Sequence, residues 1–414
     1  MAGYKVEKKM KIIVQKFGGT SVATAEAREA VKNKVQCAMT KGYSPVVVVS
    51  AMGRKGDPYA TDTLIGVLKA ANISVNNREM DVMMCCGELI SSAVMTATLQ
   101  AAGINAMALT GGQAGIITDS QFGAAKIKNI DTCELMNLLE AGVVPVVCGF
   151  QGMTENHGKF TTLGRGGSDT SAAALGVALN ADLVEIYTDV EGIMTADPRI
   201  VKDANILQQI SYDEICQMAH QGAKVIHPRA VEIAMQKNIP LVVKSTFSEA
   251  PGTLIGANCC SKICGEIAIN ERIASGVTYL TDLVQFRVKL DNNDLTSGQR
   301  LFDELATGGV SVGCLNLQPE LSMFAVYTPD KDKTENILKR LSYEYTLTAH
   351  CGKVSVVGAG MRGVTGVMAT FVTALSKKNM AILQTVDSDT TISAIIEEKH
   401  VNDAVQALHA AFKL

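Results

Sequence analysis

The sequence lacks the features that define several large functional classes. Its 38 Lys and Arg nearly balance its 41 Asp and Glu, with a formal net charge of -3 and no basic patch, so we expect no nucleic-acid partner. The longest apolar runs, such as Pro45–Val49 and Val143–Cys148, are too short to span a bilayer. No apolar signal core follows the basic residues 1–11. We therefore expect a cytoplasmic protein without a membrane partner.

Cysteine and histidine offer no metal-binding pattern. The 11 cysteines contain no Cys-x-x-Cys pair, which favours reduced, buried thiols. Cys259, Cys260 and Cys264 form the one cluster, but no histidine is near them in sequence, and their role stays open. The six histidines also lack metal-ligand spacing. We therefore predict no protein-held metal.

The first part of the chain alternates between strand and helix patterns over 414 residues that are 47% hydrophobic. Up to about residue 246, helical segments separate short buried-strand runs, which predicts an α/β fold with a mostly parallel sheet covered on both faces. The predicted strands are Ile12–Phe17, Val46–Ser50, Ala106–Thr110, Val143–Phe150 and Leu183–Thr188. The predicted helices are Ala25–Thr40, Asp81–Leu99 and Ser168–Leu179. Ligands of such sheets bind beyond the carboxyl ends of the strands.

The last part of the chain has a different pattern. A Pro- and Gly-containing linker over residues 249–264 precedes two copies of a β-α-β-β-α order, roughly 70 residues apart. This order predicts two ferredoxin-like α+β modules. Gly358–Gly363 has the spacing Gly-x-Gly-x-x-Gly, but only 51 residues follow it. A dinucleotide domain would not fit there, so we interpret the segment as a turn in the second module.

Two glycine-rich segments carry the strongest chemical information. Lys16–Ser21 ends the first strand, and Thr162–Thr170 leads into a helix with Arg165 between glycines. Glycines expose backbone N–H groups beside a cation, which suits a phosphate group. Each segment alone could be a plain strand-to-helix turn, with Ser168 and Asp169 as capping residues. Together the two segments predict a phosphoryl-transfer enzyme.

Other polar positions leave alternatives open. Glu88 lies in an otherwise apolar helix, where its partner could be a substrate ammonium group or a structural lysine or arginine. Thr188–Gly192 and Ala196–Arg199 could contact a nucleotide or could simply form turns. Gly222–Pro228, with a lysine shortly after a glycine, could likewise contact a nucleotide or simply form a turn.

These motifs resemble those of the aspartate kinases, from residue 11 to the C-terminus. The shared motifs are Lys16–Val22, Ser50–Gly53, Cys86–Glu88, Gly149–Gly152, Thr161–Ala174, Thr188–Arg199 and Gly222–Pro228. The insertion Arg54–Asp62 resembles the diaminopimelate-sensitive subgroup of Gram-positive bacteria. The resemblance implies an amino-acid-kinase fold followed by two ACT modules. It implies a catalytic domain at 11–248, a linker at 249–271, a first ACT module at 281–349, and a second built from 272–280 and 350–414.

The resemblance also implies a role for individual residues. Three residues would act in phosphoryl transfer or on the reacting groups: Lys16, Asp169 and Arg165. The aspartate pocket would consist of Ser50, Thr61, Glu88, Arg165 and Ser168. ATP, with Mg²⁺ held mainly through its phosphates, would contact Lys16, Gly18, Gly19, Thr188, Asp189, Asp197, Arg199, Lys224 and Val225. Met194 stands where many relatives have tyrosine.

The chemistry of such a reaction fits these residue types. A substrate carboxylate has a pKa near ~4, so it is already ionised and needs no general base. The protein must instead bring two anions together, which fits a site rich in Lys, Arg and Gly without a catalytic histidine. Two alternatives stay open, namely another amino-acid kinase with a glutamate-type substrate and an ACT-based amino-acid sensor. A bifunctional kinase–homoserine dehydrogenase would need a longer chain.

The ACT modules imply feedback inhibition by diaminopimelate, lysine or threonine at a module interface between subunits. The candidate effector residues are Asp294, Ser311, Asn316, Asn379 and Asp387. Gly313 replaces an aspartate that many relatives have, so the effector stays open. No methionine lies between Met235 and Met323 to start a separate small subunit, which favours a homo-oligomer.

Overall fold

The chain forms two compact units in a computed structural model. The structure describes residues 10–257, 272–291, 294, 296–361 and 363–414. Among the described residues, the first unit comprises residues 10–193, 206–216 and 224–257, and the second comprises residues 194–205, 217–223 and those from 272 onward. Residues 194–205 and 217–223 thus belong to the second unit, although the sequence-based boundary assigned them to the catalytic domain. Cys259, Cys260 and Cys264 lie outside the described residues.

The first unit contains most of the strands and helices. In chain order, its strands are β1 (Lys11–Phe17), β2 (Tyr43–Val49), β3 (Ala106–Leu109), β4 (Ile116–Thr118), β5 (Ile127–Ile130), β6 (Val144–Cys148), β7 (Gln151–Thr154), β8 (Phe160–Thr162), β9 (Leu183–Thr188), β10 (Gln209–Ser211), β11 (Leu241–Ser245) and β12 (Thr253–Gly256). Its helices are α1 (Gly19–Val22), α2 (Ala25–Thr40), α3 (Thr61–Ala71), α4 (Asn77–Ala101), α5 (Cys133–Glu140), α6 (Gly167–Ala178), α7 (Tyr212–His220, which continues into the second unit) and α8 (Pro228–Met235).

The main sheet of this unit has eight strands in the order β10-β12-β11-β9-β1-β2-β6-β3. All neighbouring pairs are parallel except β11 and β12. The central strands are buried on both faces, and Val46–Val49 is fully buried. Continuous β-branched runs are typical of such strands because helices cover both faces. The predicted α/β class is confirmed, and β1 lies at the centre with Lys16 near its carboxyl end.

A second, four-stranded sheet in the same unit has the order β5-β4-β7-β8. The sequence analysis did not predict it. The strands β4 and β8 are three residues long, and β5 and β7 are four residues long. β8 ends at Thr162, directly before the second glycine-rich segment, so this small sheet positions that segment.

The long helix α4 is a core element of the first unit. By length and composition alone it could span a membrane, but 50% of its most apolar window is buried inside the protein. Its buried residues include the polar Asp81 and Glu88. It packs against α3, β3, β6 and β8. The sequence pattern predicted this helix over Asp81–Leu99, but it was not among the uninterrupted apolar runs because polar residues interrupt it.

The second unit is an α+β structure built on one six-stranded sheet in the order β14-β15-β13-β16-β18-β17. Its elements are β13 (Gly276–Lys289), α9 (Ser297–Thr307), β14 (Gly313–Leu317), β15 (Leu321–Tyr327), α10 (Lys331–Arg340), β16 (Tyr345–Val357), α11 (Val367–Ser376), β17 (Gln384–Asp387), β18 (Thr391–Glu397) and α12 (Val401–Ala411).

Two long antiparallel strands of this sheet, β13 and β16, connect its two halves. Their register shifts around Leu283. On one side β15 pairs with β13, and on the other side β18 pairs with β16. Phe286 and Phe324 stack in the core of the first half, whereas Phe371 is buried in that of the second. Each half thus has its own core, as the predicted tandem α+β modules require.

The cysteine expectation needs correction at two positions. All eight described cysteines are free thiols, and Cys85, Cys148 and Cys351 are buried. Cys37 and Cys133 are exposed, contrary to the prediction of buried thiols. Each lies on an amphipathic surface helix, and neither is among the residues on the buried face of that helix.

Candidate active site

A cavity of about 330 Å³ lies in the first unit, beyond the carboxyl ends of the central strands. Parallel sheets bind ligands at this edge. Eight of the predicted site residues line it: Lys16, Gly19, Ser50, Thr61, Glu88, Arg165, Ser168 and Asp169. The structure therefore brings the two glycine-rich segments and the predicted substrate residues into one cavity.

The loop after β1 is held closely against the loop after β2. The N–H of Ser50 donates to the carbonyl of Phe17, and the N–H of Gly53 donates to the carbonyl of Gly19. A Cβ atom at Gly19 would lie 2.6 Å from the carbonyl oxygen of Ala51. Only glycine fits this contact, so its role includes close packing of the two loops as well as exposure of its backbone.

The second glycine-rich segment forms the start of α6. Gly166 is the N-cap residue of the helix, with φ 66° in the left-handed region, and no side chain accepts a hydrogen bond from the first turn at this position. The first N–H groups of a helix have no acceptor within the helix and carry a partial positive charge. Because Gly167, Ser168 and Asp169 line the cavity, this helix start can bind an anion there.

Two opposite charges meet inside the cavity. The Nζ atom of Lys16 lies 2.6 Å from Oδ1 of Asp169, and the side chains are only 12% and 13% exposed. The pair joins the end of β1 to the first turn of α6. An anion bound at the cavity would meet a lysine whose position is already fixed.

Arg165 provides a second cation of a different kind. It is exposed and makes no hydrogen bond or ion pair with any other described residue. A guanidinium group binds a carboxylate through two parallel hydrogen bonds. The cavity therefore presents one cation that is paired and one that is available for a ligand.

Glu88 is a buried acid at the same cavity, on α4. Its Oε1 accepts a hydrogen bond of 3.0 Å from the N–H of Ala51, and its Oε2 has no partner among the described residues. Burial raises the pKa of Glu88 to about 8, although the Ala51 hydrogen bond opposes this shift. No structural lysine or arginine pairs with Glu88 in the described part of the chain, so an ammonium group could pair with it.

The thiols near Glu88 stay protonated. Burial raises the pKa of Cys148 to about 12 and that of Cys85 still further, with the neighbouring Glu88 charge adding to both shifts. Neither thiol is suited to act as a nucleophile.

The predicted nucleotide residues lie in three places. Gly18 donates its N–H to the carbonyl of Tyr187, at the end of β9, so Thr188 and Asp189 follow at the same sheet edge. Lys224 is exposed in the segment between α7 and α8, with Val225 beside it. Asp197 and Arg199 belong to the second unit and form an ion pair of 2.6 Å with each other.

Six lining residues were missing from the predicted site. They are Ala51, Gly53, Phe150, Gly164, Gly166 and Gly167. All six lie inside motifs that the sequence analysis quoted, so the motif was the available signal. Phe150 adopts φ 67°, which is uncommon for a bulky residue and turns the chain directly after β6.

The candidate effector residues lie in the second unit. Asp294 accepts hydrogen bonds from Thr296 and pairs with Arg300 at 3.0 Å. Ser311 precedes β14, Asn316 lies on β14, and Asp387 ends β17, while Asn379 occupies a turn after α11. Within the described ranges, no group of three or more His, Cys, Asp or Glu side chains is arranged to hold a metal ion.

Comparison with known proteins defines the family. The profile of the amino acid kinase family matches residues 11–245, and the ACT domain profile matches residues 354–412. The chain therefore belongs to the amino acid kinase family.

A more specific assignment comes from full-length relatives. The chain is 46% identical to Aspartokinase 1 of Bacillus subtilis (strain 168) over 405 residues, which cover 98% of this chain and 100% of that protein. Within the amino acid kinases, the chain is thus an aspartokinase with ACT domains.

Solved structures show the same fold. Aspartokinase III of E. coli in complex with aspartate and ADP (R-state) has 24% identity and a TM-score of 0.80, covering 98% of this chain and 100% of that one. The structure of E. coli aspartokinase III in complex with lysine and aspartate (T-state) has 24% identity and a TM-score of 0.73, and the match covers 97% of this chain and 99% of that one.

Proposed function

We propose that the chain transfers the γ-phosphoryl group of ATP to the β-carboxylate of L-aspartate. A β-carboxylate oxygen attacks the γ-phosphorus, and the bond from that phosphorus to the bridging oxygen breaks. ADP leaves with the electron pair, and 4-phospho-L-aspartate forms. One observation carries the proposal most strongly: a fixed lysine, an available arginine and a buried glutamate line a single cavity.

The two charged ends of aspartate suit two cavity residues. Arg165 would bind the α-carboxylate through its guanidinium fork, and Glu88 would bind the α-ammonium group through Oε2. Ser50, Thr61 and Ser168 would complete the pocket with hydroxyl groups. This arrangement leaves the β-carboxylate free to point toward Lys16.

The phosphoryl end requires neutralisation of charge. The Lys16 ammonium group would stabilise the negative charge of the transferring phosphoryl group, and Gly18, Gly19 and the start of α6 would offer N–H groups to the phosphates. Asp169 would keep Lys16 in place through their 2.6 Å ion pair. Mg²⁺, held through the ATP phosphates, would lower the repulsion between the two anions.

The rest of the nucleotide would lie beyond β9 and the neighbouring segments. Thr188 ends β9, the strand next to β1, and Asp189 follows it, at the sheet edge where the γ-phosphate must reach Lys16. Lys224, Val225, Asp197 and Arg199 would contact the nucleotide as the family motifs imply. We also propose a catalytic domain at 11–248, a linker at 249–271 and two ACT modules in 272–414, although residues 194–205 and 217–223 of the catalytic sequence belong to the second compact unit.

A substrate comparison tests the proposed reaction. ADP release is measured with purified protein, ATP and Mg²⁺, with aspartate or glutamate as acceptor, and hydroxylamine traps the acyl phosphate. We expect aspartyl hydroxamate with aspartate and little turnover with glutamate. Preference for glutamate would favour the other amino-acid-kinase reading, and no turnover with either would favour an amino-acid sensor.

Regulation is the second part of the proposal. The E. coli complex named above contains lysine, and the present chain shares its fold. We propose that an end-product amino acid, namely diaminopimelate, lysine or threonine, binds the ACT modules and inhibits the kinase. Asp294, Ser311, Asn316, Asn379 and Asp387 are the candidate contacts, in a homo-oligomer assembled through these modules.

Titration of the three amino acids, singly and in pairs, identifies the effector. Because Gly313 offers no carboxylate to an effector ammonium group, we expect weak inhibition by lysine alone. Strong inhibition by lysine alone at low concentration would contradict a role for this position.

We further propose that the enzyme works in the cytoplasm, at the first step toward lysine, threonine and methionine.

A further inference from the structure

Asp81 is a buried acid that the reaction outlined above does not use. It lies on α4, seven residues before Glu88, and its side chain is fully buried. Within the described ranges, no lysine or arginine forms an ion pair with it. A buried carboxylate without a cation must be stabilised by hydrogen-bond donors. Its donors therefore show what it holds in place.

Two of its three hydrogen bonds come from Thr162. Oδ1 accepts from the Thr162 hydroxyl at 2.6 Å, and Oδ2 accepts from the Thr162 N–H at 3.0 Å. Oδ2 also accepts from the N–H of Gly123 at 3.0 Å. Because both oxygens contact the same residue, the carboxylate fixes the end of β8 in two directions.

Thr162 is three residues before Arg165. Its carbonyl accepts a hydrogen bond from Ala125, and the next residue, Leu163, bonds to Phe150 and Arg229. A Cβ at Gly164 would lie 3.5 Å from the carbonyl oxygen of Gly123. The segment that leads to Arg165 is thus held by residues 123–125 and by the bonds of Leu163. Asp81 binds both Thr162 in this segment and the neighbouring Gly123.

The same helix carries Glu88 into the cavity. Seven helical residues span about 10 Å, so Asp81 and Glu88 lie on the same side of α4, two turns apart. One carboxylate therefore connects the helix of Glu88 to the segment of Arg165. These are the two residues that we propose bind opposite ends of aspartate.

We propose that Asp81 is a positioning residue that sets the distance between Glu88 and Arg165 and thereby the affinity for aspartate. This inference rests on the proposed function. Asp81 does not touch the substrate. It acts through Thr162 on Arg165.

The first test compares two adjacent buried threonines. Thr162→Val removes the hydroxyl that donates to Asp81. Thr161→Val removes a hydroxyl that is equally buried and that bonds to Thr118 at 2.7 Å, away from Asp81. We expect Thr162→Val and Asp81→Asn to raise the KM for aspartate by about 10- to 100-fold, with the KM for ATP changed by less than about threefold. Thr161→Val should leave both values near those of the wild type.

Thr162→Ser provides the rescue because it keeps the hydroxyl and the N–H. A KM for aspartate close to the wild-type value supports the proposal. An equal rise in the KM for aspartate in Thr161→Val and Thr162→Val would overturn the proposal, because a general loss of stability in β8 would then explain both changes. Unchanged KM values in Asp81→Asn would also overturn it.

A double-mutant cycle tests the route through Arg165. If Asp81 acts through Arg165, Asp81→Asn should raise the KM for aspartate far less in an Arg165→Ala background than in the wild type. Full additivity would overturn the proposal. Failure of the proposed function would look different, because the wild type itself would then neither bind nor phosphorylate aspartate.

Discussion

The Nζ atom of Lys16 lies 2.6 Å from Oδ1 of Asp169, and this contact joins the central strand β1 to the first turn of α6. The two glycine-rich segments, about 150 residues apart in sequence, thereby become the two walls of one cavity. The lysine is held by a carboxylate at rest, and an incoming phosphoryl group would compete for the same charge.

Lys16→Ala should abolish most of the turnover while affecting nucleotide binding far less. Loss of one charge that acts mainly in the transition state typically lowers kcat by ~10²–10³. We expect the KM for ATP to change by less than about threefold, since glycine N–H groups and Mg²⁺ still bind the phosphates. Coupled measurement of ADP release provides both constants.

Lys11→Ala is the matched control for this change. Lys11 begins the same strand but is exposed and lies far from the carboxyl end. Its removal should leave kcat unchanged. Retained turnover in Lys16→Ala, or an equal loss in Lys11→Ala, would remove the support for Lys16 in phosphoryl transfer.

Arg165→Lys separates charge from geometry at the proposed carboxylate site. Lysine keeps the positive charge but cannot form two parallel hydrogen bonds with a carboxylate. We expect the KM for aspartate to rise about tenfold in Arg165→Lys and about 100-fold in Arg165→Ala, with the KM for ATP little changed. Equal KM values for aspartate in the wild type and Arg165→Ala would show that another group binds the α-carboxylate.

Aspartate binding should depend on pH through Glu88. Burial raises the pKa of Glu88 to about 8, so its carboxyl group is mainly neutral at pH 7 when no ligand is bound. Binding of an ammonium group favours the charged carboxylate. Affinity should therefore rise about tenfold per pH unit between pH 6 and 7.5 and level off near 8. Calorimetry in buffers of different ionisation enthalpy should detect proton release.

Glu88→Gln is the control for this titration, because it keeps the shape and removes the ionisable group. Its affinity for aspartate should be weak and nearly constant over the same pH range. A wild-type profile that is flat from pH 6 to 8 would contradict the proposed contact.

The same raised pKa has a consequence for stability. Unfolded Glu88 would ionise near pH ~4, whereas the folded protein resists ionisation until about pH 8. The folded state therefore loses stability as the pH rises from about 4 to 8 because of this group. Glu88→Gln should reduce that loss, as thermal unfolding at pH 5 and pH 8 can measure.

Two glycines should respond oppositely to alanine. Gly66 is exposed in the middle of α3, and a Cβ atom added there would meet no atom from outside its own helix backbone within 4 Å, so Gly66→Ala should stabilise the protein by about 0.5–1 kcal/mol. Gly19→Ala should lower kcat more than about tenfold, because its Cβ would lie 2.6 Å from a backbone oxygen and the loop would have to shift. Urea unfolding and ADP release measure the two effects, and wild-type kinetics in Gly19→Ala would contradict the close packing.

The sequence predicted the central elements well because their patterns are long and regular. Four consecutive valines mark β2, and α2 was predicted with the bounds that the structure gives. The small sheet was missed because its strands of three or four residues have no measurable period. Residues 272–280 and 281–349 were predicted to belong to different modules, whereas the structure joins Gly276–Lys289 in one strand, β13, whose register shifts around Leu283.

The residues of the cavity were predictable, but the way in which they are held was not. The glycine motifs indicated Lys16 and Arg165 because such motifs expose backbone and charge. By contrast, Asp81 contacts Thr162 across 81 residues, and no local pattern reveals such a contact. The unpaired Oε2 of Glu88 also depends on what the fold leaves around it.

The central claim is that one cavity brings aspartate and the γ-phosphate together between fixed positive charges. The most direct test is a crystal structure with aspartate, Mg²⁺ and a non-hydrolysable ATP analogue. The account predicts the α-carboxylate on Arg165, the α-ammonium group on Glu88 and the γ-phosphate within hydrogen-bond distance of Lys16. A nucleotide bound far from Lys16, or aspartate outside this cavity, would contradict it.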